Sequence, residues 1–187
     1  MRGVNLDISQ LPVERVHQEI DALFRRDADV FGEDLAAYRG HVQRVAGLIG
    51  LQFPVGVETC RPVAVAVYFH DSAVWYDQTW DYLPQSRRRA LAELRPEEQG
   101  FSSVVDAMID EHHRIRRARH PHPLVEAMRR ADAADISGIP ALARVRRDEY
   151  GQLLTRYPRA GFHRVLLRAW RRGVRESVFR PAPMLKF

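Results

Sequence analysis

The chain has 187 residues, a single cysteine (Cys60) and a formal charge of +5 at pH 7. This length is enough to bury one hydrophobic core, and a single cysteine excludes an intrachain disulfide. The longest unbroken apolar run, residues 62–69, is far shorter than the roughly 20 residues of a membrane-spanning helix. The sequence therefore predicts a single-domain cytoplasmic protein with no membrane partner.

The basic residues are almost all arginine and are distributed along the whole chain. Lys186 is the only lysine, so 28 of the 29 basic residues are arginine, and they extend from Arg2 to Arg180. This spread is typical of solvated helix faces, whereas a nucleic-acid interface gathers its cations in one patch. A nucleic-acid partner is therefore not expected.

Apolar residues recur with helical periodicity along most of the chain. The apolar stripes cover, in chain order, residues 13–24, 35–49, 101–109, 124–131 and 162–170, with a shorter helix over 141–150. Ser9 is a candidate cap for the first helix and Gly32 its expected end, while Pro123 suits a first helical turn. The pattern predicts an all-α fold of about seven to eight helices.

One segment has a pattern that conflicts with its surroundings. Residues 63–69 read VAVAVYF, and β-branched side chains at alternate positions favour a buried strand. No second segment of comparable β character is present to pair with it, and a lone strand cannot satisfy its backbone hydrogen bonds. We therefore predict a fully buried helix opened by Pro62, and no β-sheet.

Several histidines occupy positions that the periodicity places inside the protein. His41 lies on the apolar face of its helix, where a core histidine bonded to a backbone carbonyl is the alternative to a ligand. His70 and Asp71 close the most apolar helix, and buried titratable groups there need partners, a metal or water. His112 lies on an inner face and His113 at its edge.

Two carboxylates share the apolar ridge of one helix. Asp132 and Asp135 are one turn apart, and an unpaired buried carboxylate is costly. Asp132 therefore needs either a bound cation or one of its neighbours Arg129 and Arg130. Several polar residues at positions predicted to be buried, all in one small protein, are typical of a functional site.

The order of these residues resembles a known signature. In chain order they are His41, His70-Asp71, His112-His113 and Ala131-Asp132. On separate helices, this order resembles the H…HD…D pattern of the HD superfamily of metal-dependent phosphohydrolases. The stretches YFHDSAVWYDQTWDYLPQS, MIDEHHR, VEAMRRADAADIS and YPRAGFH are similar to a branch of bacterial HD-domain proteins.

The resemblance implies a fold and a domain organisation. The expected fold is an orthogonal helical bundle of the HD type, formed as a single domain by residues 1–187. Its metal-binding core would cover about residues 35–140, with the helices of residues 141–187 packed on it.

The resemblance also implies a metal centre. The expected ligands of a divalent ion are His41, His70, Asp71 and Asp132. Two histidines and two carboxylates suit Mn, Fe, Zn, Ni or Mg. Binuclear relatives carry a further histidine between the HD pair and the later histidines, and this sequence has none between His70 and His112, so one ion is expected. Asp135 would then orient a ligand histidine or cap a neighbouring helix.

The implied function is a metal-dependent hydrolase, foremost a phosphohydrolase of phosphomonoesters, phosphodiesters or nucleotides that uses a metal-activated water. Asp71 would hold both metal and water, and His112 or His113 would pass a proton to the leaving group. The candidates for contacts around the substrate are Trp75, Asp81 and Arg130.

Other functions stay open at this point. They are a non-phosphate hydrolase or hydratase, an HD-type iron oxygenase, and a non-catalytic metal-bound sensor or binding module. The oxygenase would need two irons, against which the missing histidine argues.

The expected partner is a small molecule, which could carry a phosphate group. Whether the chain forms a homo-oligomer is left open by the sequence. In relatives a histidine often stands where Gln78 is here, so any activity that needs it is in doubt.

Overall fold

The computed structural model describes residues 12–176 and 184–186. Within these residues no strand forms, and the only β-type pairing is an isolated bridge between Arg114 and Lys186. The all-α prediction is therefore confirmed for the described part of the chain. Ser9, the candidate cap of the first helix, lies outside it.

Ten α-helices make up this part, eight of them at least ten residues long, in agreement with the expected number. They are α1 (Pro12–Arg26), α2 (Ala28–Phe31), α3 (Leu35–Gln52), α4 (Cys60–Phe69), α5 (Ala73–Tyr76), α6 (Leu83–Glu93), α7 (Ser102–Glu111), α8 (Pro123–Ser137), α9 (Arg147–Arg156) and α10 (Phe162–Glu176).

Helix α4 is the centre of the bundle. It packs against α1, α3, α6 and α7, and the side chains of residues 63–69 are at most 3% exposed. The β-branched segment is thus helical, as predicted, because burial on all sides outweighs its strand propensity. The helix begins at Cys60 rather than at Pro62. Pro62 is tolerated in the first turn because the N–H groups of that turn have no hydrogen-bond acceptor within the helix.

None of the described helices combines the length and apolar character that a bilayer-spanning segment requires.

The first predicted helix is interrupted where the sequence pattern indicated continuity. α1 ends at Arg26, and α2 carries the chain on to Gly32, which has a φ of 50°. The carboxylate of Asp27 accepts hydrogen bonds from the hydroxyls of Tyr68, at 2.9 Å, and Tyr76, at 2.6 Å. The Asp27 carboxylate is therefore hydrogen-bonded to two tyrosines at the position where α1 ends and α2 begins.

The bounds of the helix predicted over residues 141–150 are wrong. Pro140–Ala143 forms a single 3-10 turn, Arg144 has the left-handed φ of 57°, and α9 begins only at Arg147. The carboxylate of Glu149 accepts the backbone N–H of Arg146 at 3.0 Å, which caps the later start.

Gly40 of α3 lies where a side chain would collide with backbone. A Cβ built at Gly40 would clash with the carbonyl oxygen of Pro158, whereas a Cβ at Gly151 of α9 would meet nothing within 4 Å. We expect Gly40→Ala to destabilise the fold by about 1–3 kcal/mol, because a carbonyl cannot rotate away as a side chain can. Gly151→Ala, the matched control, should stabilise it by about 0.5–1 kcal/mol through helix propensity. Urea unfolding of both variants measures the difference, and equal effects would contradict the close approach at Gly40.

Candidate metal centre

The helices of the bundle bring four polar side chains to one buried point. α3 supplies His41, the end of α4 supplies His70 and Asp71, and α8 supplies Asp132. α3 packs against both α4 and α8, and α7 packs against the same two helices. His41 and His70 are fully buried, while Asp132 is 1% and Asp71 5% exposed. These are the four residues that the resemblance implied as ligands.

The imidazole rings are oriented by contacts of their Nδ1 atoms. Nδ1 lies 2.8 Å from Asp135 Oδ2 in His41, 2.6 Å from the Val67 carbonyl in His70 and 2.7 Å from the Ile109 carbonyl in His112. His70 and His112 each follow a helix end and reach a carbonyl three residues back, in the turn whose carbonyls lack helical partners. Because the partners accept, Nδ1 carries the proton of each neutral ring, and Nε2 is the nitrogen that can bind an ion.

The Nε2 atoms point at one another and at a carboxylate. Nε2 of His41 is 3.1 Å from Nε2 of His70, and Asp132 Oδ1 is 3.3 Å from the first and 3.7 Å from the second. Two ligand atoms about 2.1 Å from one ion, separated by angles of about 90–109°, are about 3.0–3.4 Å apart. The spacing of this triad is close to that of ligands on a single ion.

Asp71 joins this triad to a second group of histidines. Its Oδ2 lies 3.4 Å from His70 Nε2, and its Oδ1 lies 3.3 Å from His112 Nε2 and 3.9 Å from His113 Nε2. The two oxygens of Asp132 likewise face different histidines. Oδ1 faces His41 and His70, and Oδ2 lies 3.5 Å from His113 Nδ1. His70 with Asp71 and His112, and Asp132 with His112 and His113, are two further triads that could hold an ion.

Three buried atoms at this point fit a bound cation. Asp71 Oδ1, His112 Nε2 and Asp132 Oδ1 have no hydrogen-bond partner among the described residues, although buried polar atoms are normally satisfied. The count of buried charges also agrees with a cation. The site contains three buried carboxylates, those of Asp71, Asp132 and Asp135, and one buried guanidinium, that of Arg44, which pairs with Asp135. Two negative charges remain, which one divalent ion neutralises.

The pKa values of the metal-free site also reflect a demand for positive charge. Burial by itself lowers the pKa of His41, but the carboxylates of Asp132 and Asp135 raise it to about 9. Burial raises the pKa of Asp132, but the neighbouring imidazoles of His41 and His70 hold it well below its usual range. A proton therefore sits on His41 when no metal ion does.

Asp135 holds His41 from behind. Its Oδ1 accepts hydrogen bonds from Arg44 Nε at 2.7 Å and from the Tyr150 hydroxyl at 3.1 Å, and its Oδ2 accepts from Arg44 Nη2 at 2.8 Å and faces His41 Nδ1. Arg44 is fully buried and also donates to the carbonyls of residues 157–158. Both oxygens of Asp135 are thus engaged, and they fix the ring of His41.

His113 is the histidine at the open side of the cluster. Its Nε2 accepts a hydrogen bond from the Tyr82 hydroxyl at 2.6 Å. Burial, followed by the charges of Asp71 and Asp132, raises the pKa of Tyr82 well above its ordinary value, so the hydroxyl keeps its proton. Burial and the charge of His112 lower the pKa of His113 to about 4, so its ring is neutral near pH 7.

Asp132 does not pair with either neighbouring arginine. Arg129 and Arg130 both form salt bridges with Glu126, at 2.8 Å and 2.7 Å. The structure therefore excludes both arginines as partners of Asp132, whose carboxylate faces the histidines of the cluster.

Of the three residues expected around the substrate, only Trp75 lies beside the cluster. Its indole N–H donates to Asp34 at 3.1 Å, and its ring forms part of the wall of the cavity described next. Asp81 has an exposed side chain. Arg130 lines a different cavity together with Arg117 and Glu126. Neither Asp81 nor Arg130 is brought to the site.

A cavity of about 170 Å³ opens beside the cluster. Asp71 and His113 form its polar end, and most of the remaining wall is apolar, including the side chains of Trp75, Trp80 and Leu166. His41, His70, His112 and Asp132, which are at most 1% exposed, lie behind that polar end. A small molecule would therefore reach the centre past Asp71 and His113.

Sequence reasoning missed two residues of the site. Arg44 follows His41 by three positions on the same helix face, so an arginine on an otherwise inward face was a usable signal. Tyr82 lies in the aromatic segment after the HD pair, but the distance between Tyr82 and His113 in the sequence gave no sign of their contact.

Comparison of the chain with family models, with curated proteins and with solved structures finds no match. The site therefore stands on its geometry: buried histidines and aspartates that could hold a metal ion.

Proposed function

We propose that the protein is a metal-dependent hydrolase of the HD superfamily that acts on phosphate esters, with one divalent ion held by His41, His70, Asp71 and Asp132. The observation that carries the proposal is the sealed triad of His41 Nε2, His70 Nε2 and Asp132 Oδ1, at mutual distances of 3.1, 3.3 and 3.7 Å. The order of the ligands along the chain, which resembles that superfamily, supports the choice of family. Nitrogen and oxygen donors of this kind suit Mn, Fe, Zn, Ni or Mg.

A bound divalent ion supplies Lewis acidity to a phosphoryl oxygen and lowers the pKa of a water molecule. The chain's own groups hold the ligands in position for it. Asp135 and Arg44 fix the ring of His41, and the Val67 carbonyl fixes the ring of His70. The rings are thus oriented before any ion arrives, which is what a tight site requires. An ion that binds displaces the proton that His41 Nε2 carries in the metal-free protein.

The hydrolysis of a phosphate ester consumes one water molecule. The water oxygen bonds to phosphorus, the ester P–O bond breaks, and protons leave the water and reach the leaving oxygen. Asp71 faces both the cluster and the cavity, so we assign to its carboxylate the orientation of the water and the acceptance of its proton. The Tyr82 hydroxyl, whose oxygen lies 2.6 Å from His113 Nε2, turns its proton from that nitrogen to the leaving oxygen. The phenolate that remains takes up a proton from solvent when the products leave.

The charge balance favours one ion over two. The buried charged groups at the site sum to two negative charges, and a second divalent ion at His112 and His113 would leave an excess of buried positive charge. His113 Nε2 is also occupied by the Tyr82 hydroxyl. In this proposal His112 orients Asp71.

Tyr82→Phe tests the proposed reaction. The variant should keep its metal content and lose about 100-fold in kcat with phenyl phosphate, because general acid catalysis contributes factors of that order. The loss should be smaller with 4-nitrophenyl phosphate, whose leaving group needs less protonation. Phosphate release by the protein loaded with each candidate ion measures both. Tyr76→Phe, which removes a hydroxyl bonded to Asp27 outside the cluster, is the matched control.

Two results would contradict the proposal at different points. Failure of the metal-loaded wild type to release phosphate from any ester would reject the hydrolase. Equal losses with the two substrates would reject the proton transfer by Tyr82 and leave the hydrolase standing.

A further inference from the structure

The cluster meets the cavity at only two of its residues. Asp71 and His113 line both, whereas His41, His70, His112 and Asp132 are at most 1% exposed. Any molecule held in the cavity therefore has one end against Asp71 and His113, where the proposed reaction takes place. The remainder of that molecule contacts the other walls.

Those walls are apolar and partly aromatic. The wall includes the indole rings of Trp75 and Trp80, the α10 residues Val165, Leu166 and Ala169, and Ile136 of α8. Burying an apolar group against such walls is favourable, whereas burying a polar group without a hydrogen-bond partner is costly. Rigid indole rings also present flat faces on which another ring packs well.

The size of the cavity limits what it can hold. Its volume is about 170 Å³, and an apolar protein cavity of about 150 Å³ is known to take up a benzene ring. One aromatic ring, or a branched aliphatic group of similar volume, therefore fills the available space.

From these observations we infer that the substrate carries one apolar group of the size of a benzene ring, bound against Trp75, Trp80 and α10, with its hydrolysable group at Asp71 and His113. Only the position of the hydrolysable group, at Asp71 and His113, rests on the proposed function. The binding of the apolar group depends on the cavity and can be measured without turnover.

The test compares two non-hydrolysable phosphonates on the metal-loaded protein. Phenylphosphonate and methylphosphonate carry the same anionic group, and only the first fills the cavity. Titration calorimetry should show phenylphosphonate binding about tenfold more tightly or better, because each buried carbon adds a factor of a few in affinity. Equal affinities would overturn the inference. No binding of either would overturn the placement of the hydrolysable group at Asp71 and His113, and the neutral probe described below then decides on the apolar group.

A pair of variants on α10 tests the location. Ala169 lines the cavity, so Ala169→Phe should fill it and remove the preference for phenylphosphonate. Leu167, on the same helix, is 45% exposed and outside the cavity wall, so Leu167→Phe should keep the preference. Loss of the preference in both variants, or in neither, would overturn the assignment to this cavity.

A neutral probe separates failure of the cavity from failure of the metal centre. Benzyl alcohol is titrated into metal-free, full-length protein while the three tryptophan indole N–H signals are followed by NMR. The signals of Trp75 and Trp80 should shift, and that of Trp170, which is 46% exposed and outside the cavity wall, should not. Shifts here in a protein that binds no metal would reject the proposed function and keep the apolar cavity. Unchanged signals of Trp75 and Trp80 would reject the cavity, whatever the metal content.

Discussion

Asp132→Ala is expected to abolish tight metal binding, whereas Asp135→Asn should keep much of it. Asp132 places Oδ1 3.3 Å from His41 Nε2, with no hydrogen-bond partner among the described residues. Asp135 lies on the other side of the His41 ring, with both oxygens engaged. Losing a ligand removes a bond to the ion, while weakening the group that orients a ligand costs about 10- to 100-fold in affinity.

The measurement is metal affinity by competition with a chelator of known strength, on both variants and the wild type. Circular dichroism establishes that each variant is folded. Full affinity in Asp132→Ala together with none in Asp135→Asn would show that the ligand is Asp135. Full affinity in both would show that neither aspartate serves the centre.

Arg44→Met should produce the largest loss of stability among single substitutions near the site. Arg44 is fully buried, bonds both oxygens of Asp135 and donates to the carbonyls of residues 157–158. Methionine fills much of the same volume but leaves the buried carboxylate without its guanidinium. Breaking a buried ion pair from one side costs about 3–5 kcal/mol.

Arg39→Met is the matched control on the same helix. Arg39 pairs with Asp21 at 2.9 Å, but its side chain is half exposed. Exposed pairs contribute about 0–1 kcal/mol. Urea unfolding of the metal-free proteins should therefore separate the two variants by at least about 2 kcal/mol. Similar losses would mean that the interaction of Arg44 with Asp135 contributes little to stability.

The sequence predicted the helices well where periodicity and burial agree. The stripes at 35–49 and 124–131 are α3 and α8, and Pro123 occupies the first turn of α8, as expected. The segment 62–69 was predicted correctly only because no pairing strand could be found, since its own propensity favours a strand. Backbone hydrogen bonding decided that case.

The errors arose where tertiary contacts set the boundaries. Asp27 is tied to hydroxyls of Tyr68 and Tyr76, 41 and 49 residues away, and no local pattern contains such partners. The segment after Pro140 leaves the helical conformation at Arg144, with a φ of 57°, although arginine is ordinarily a good helix former. Local propensity cannot indicate either break.

The sequence predicted the buried residues of the candidate site but not the residues around its opening. His41 and Asp132 showed themselves as polar residues on apolar ridges, and the structure places both at the cluster. Arg130 was predicted as a contact for a substrate anion and Asp81 as part of the segment after the HD pair, and neither lies at the site. Tyr82 reaches His113 across 31 residues, a contact that depends on how α6 and α7 pack.

Metal analysis of the purified wild type tests the central claim most directly. The protein is produced without a polyhistidine tag, incubated in turn with Mn, Fe, Zn, Ni and Mg ions, freed of loosely bound ions and analysed, beside a His41→Ala/His70→Ala double variant. We expect about one ion per chain in the wild type, with nitrogen and oxygen ligands at about 2.0–2.3 Å by X-ray absorption, and none in the double variant. No bound ion in the wild type, or the same ion content in both proteins, would contradict the assignment of the cluster as a metal centre.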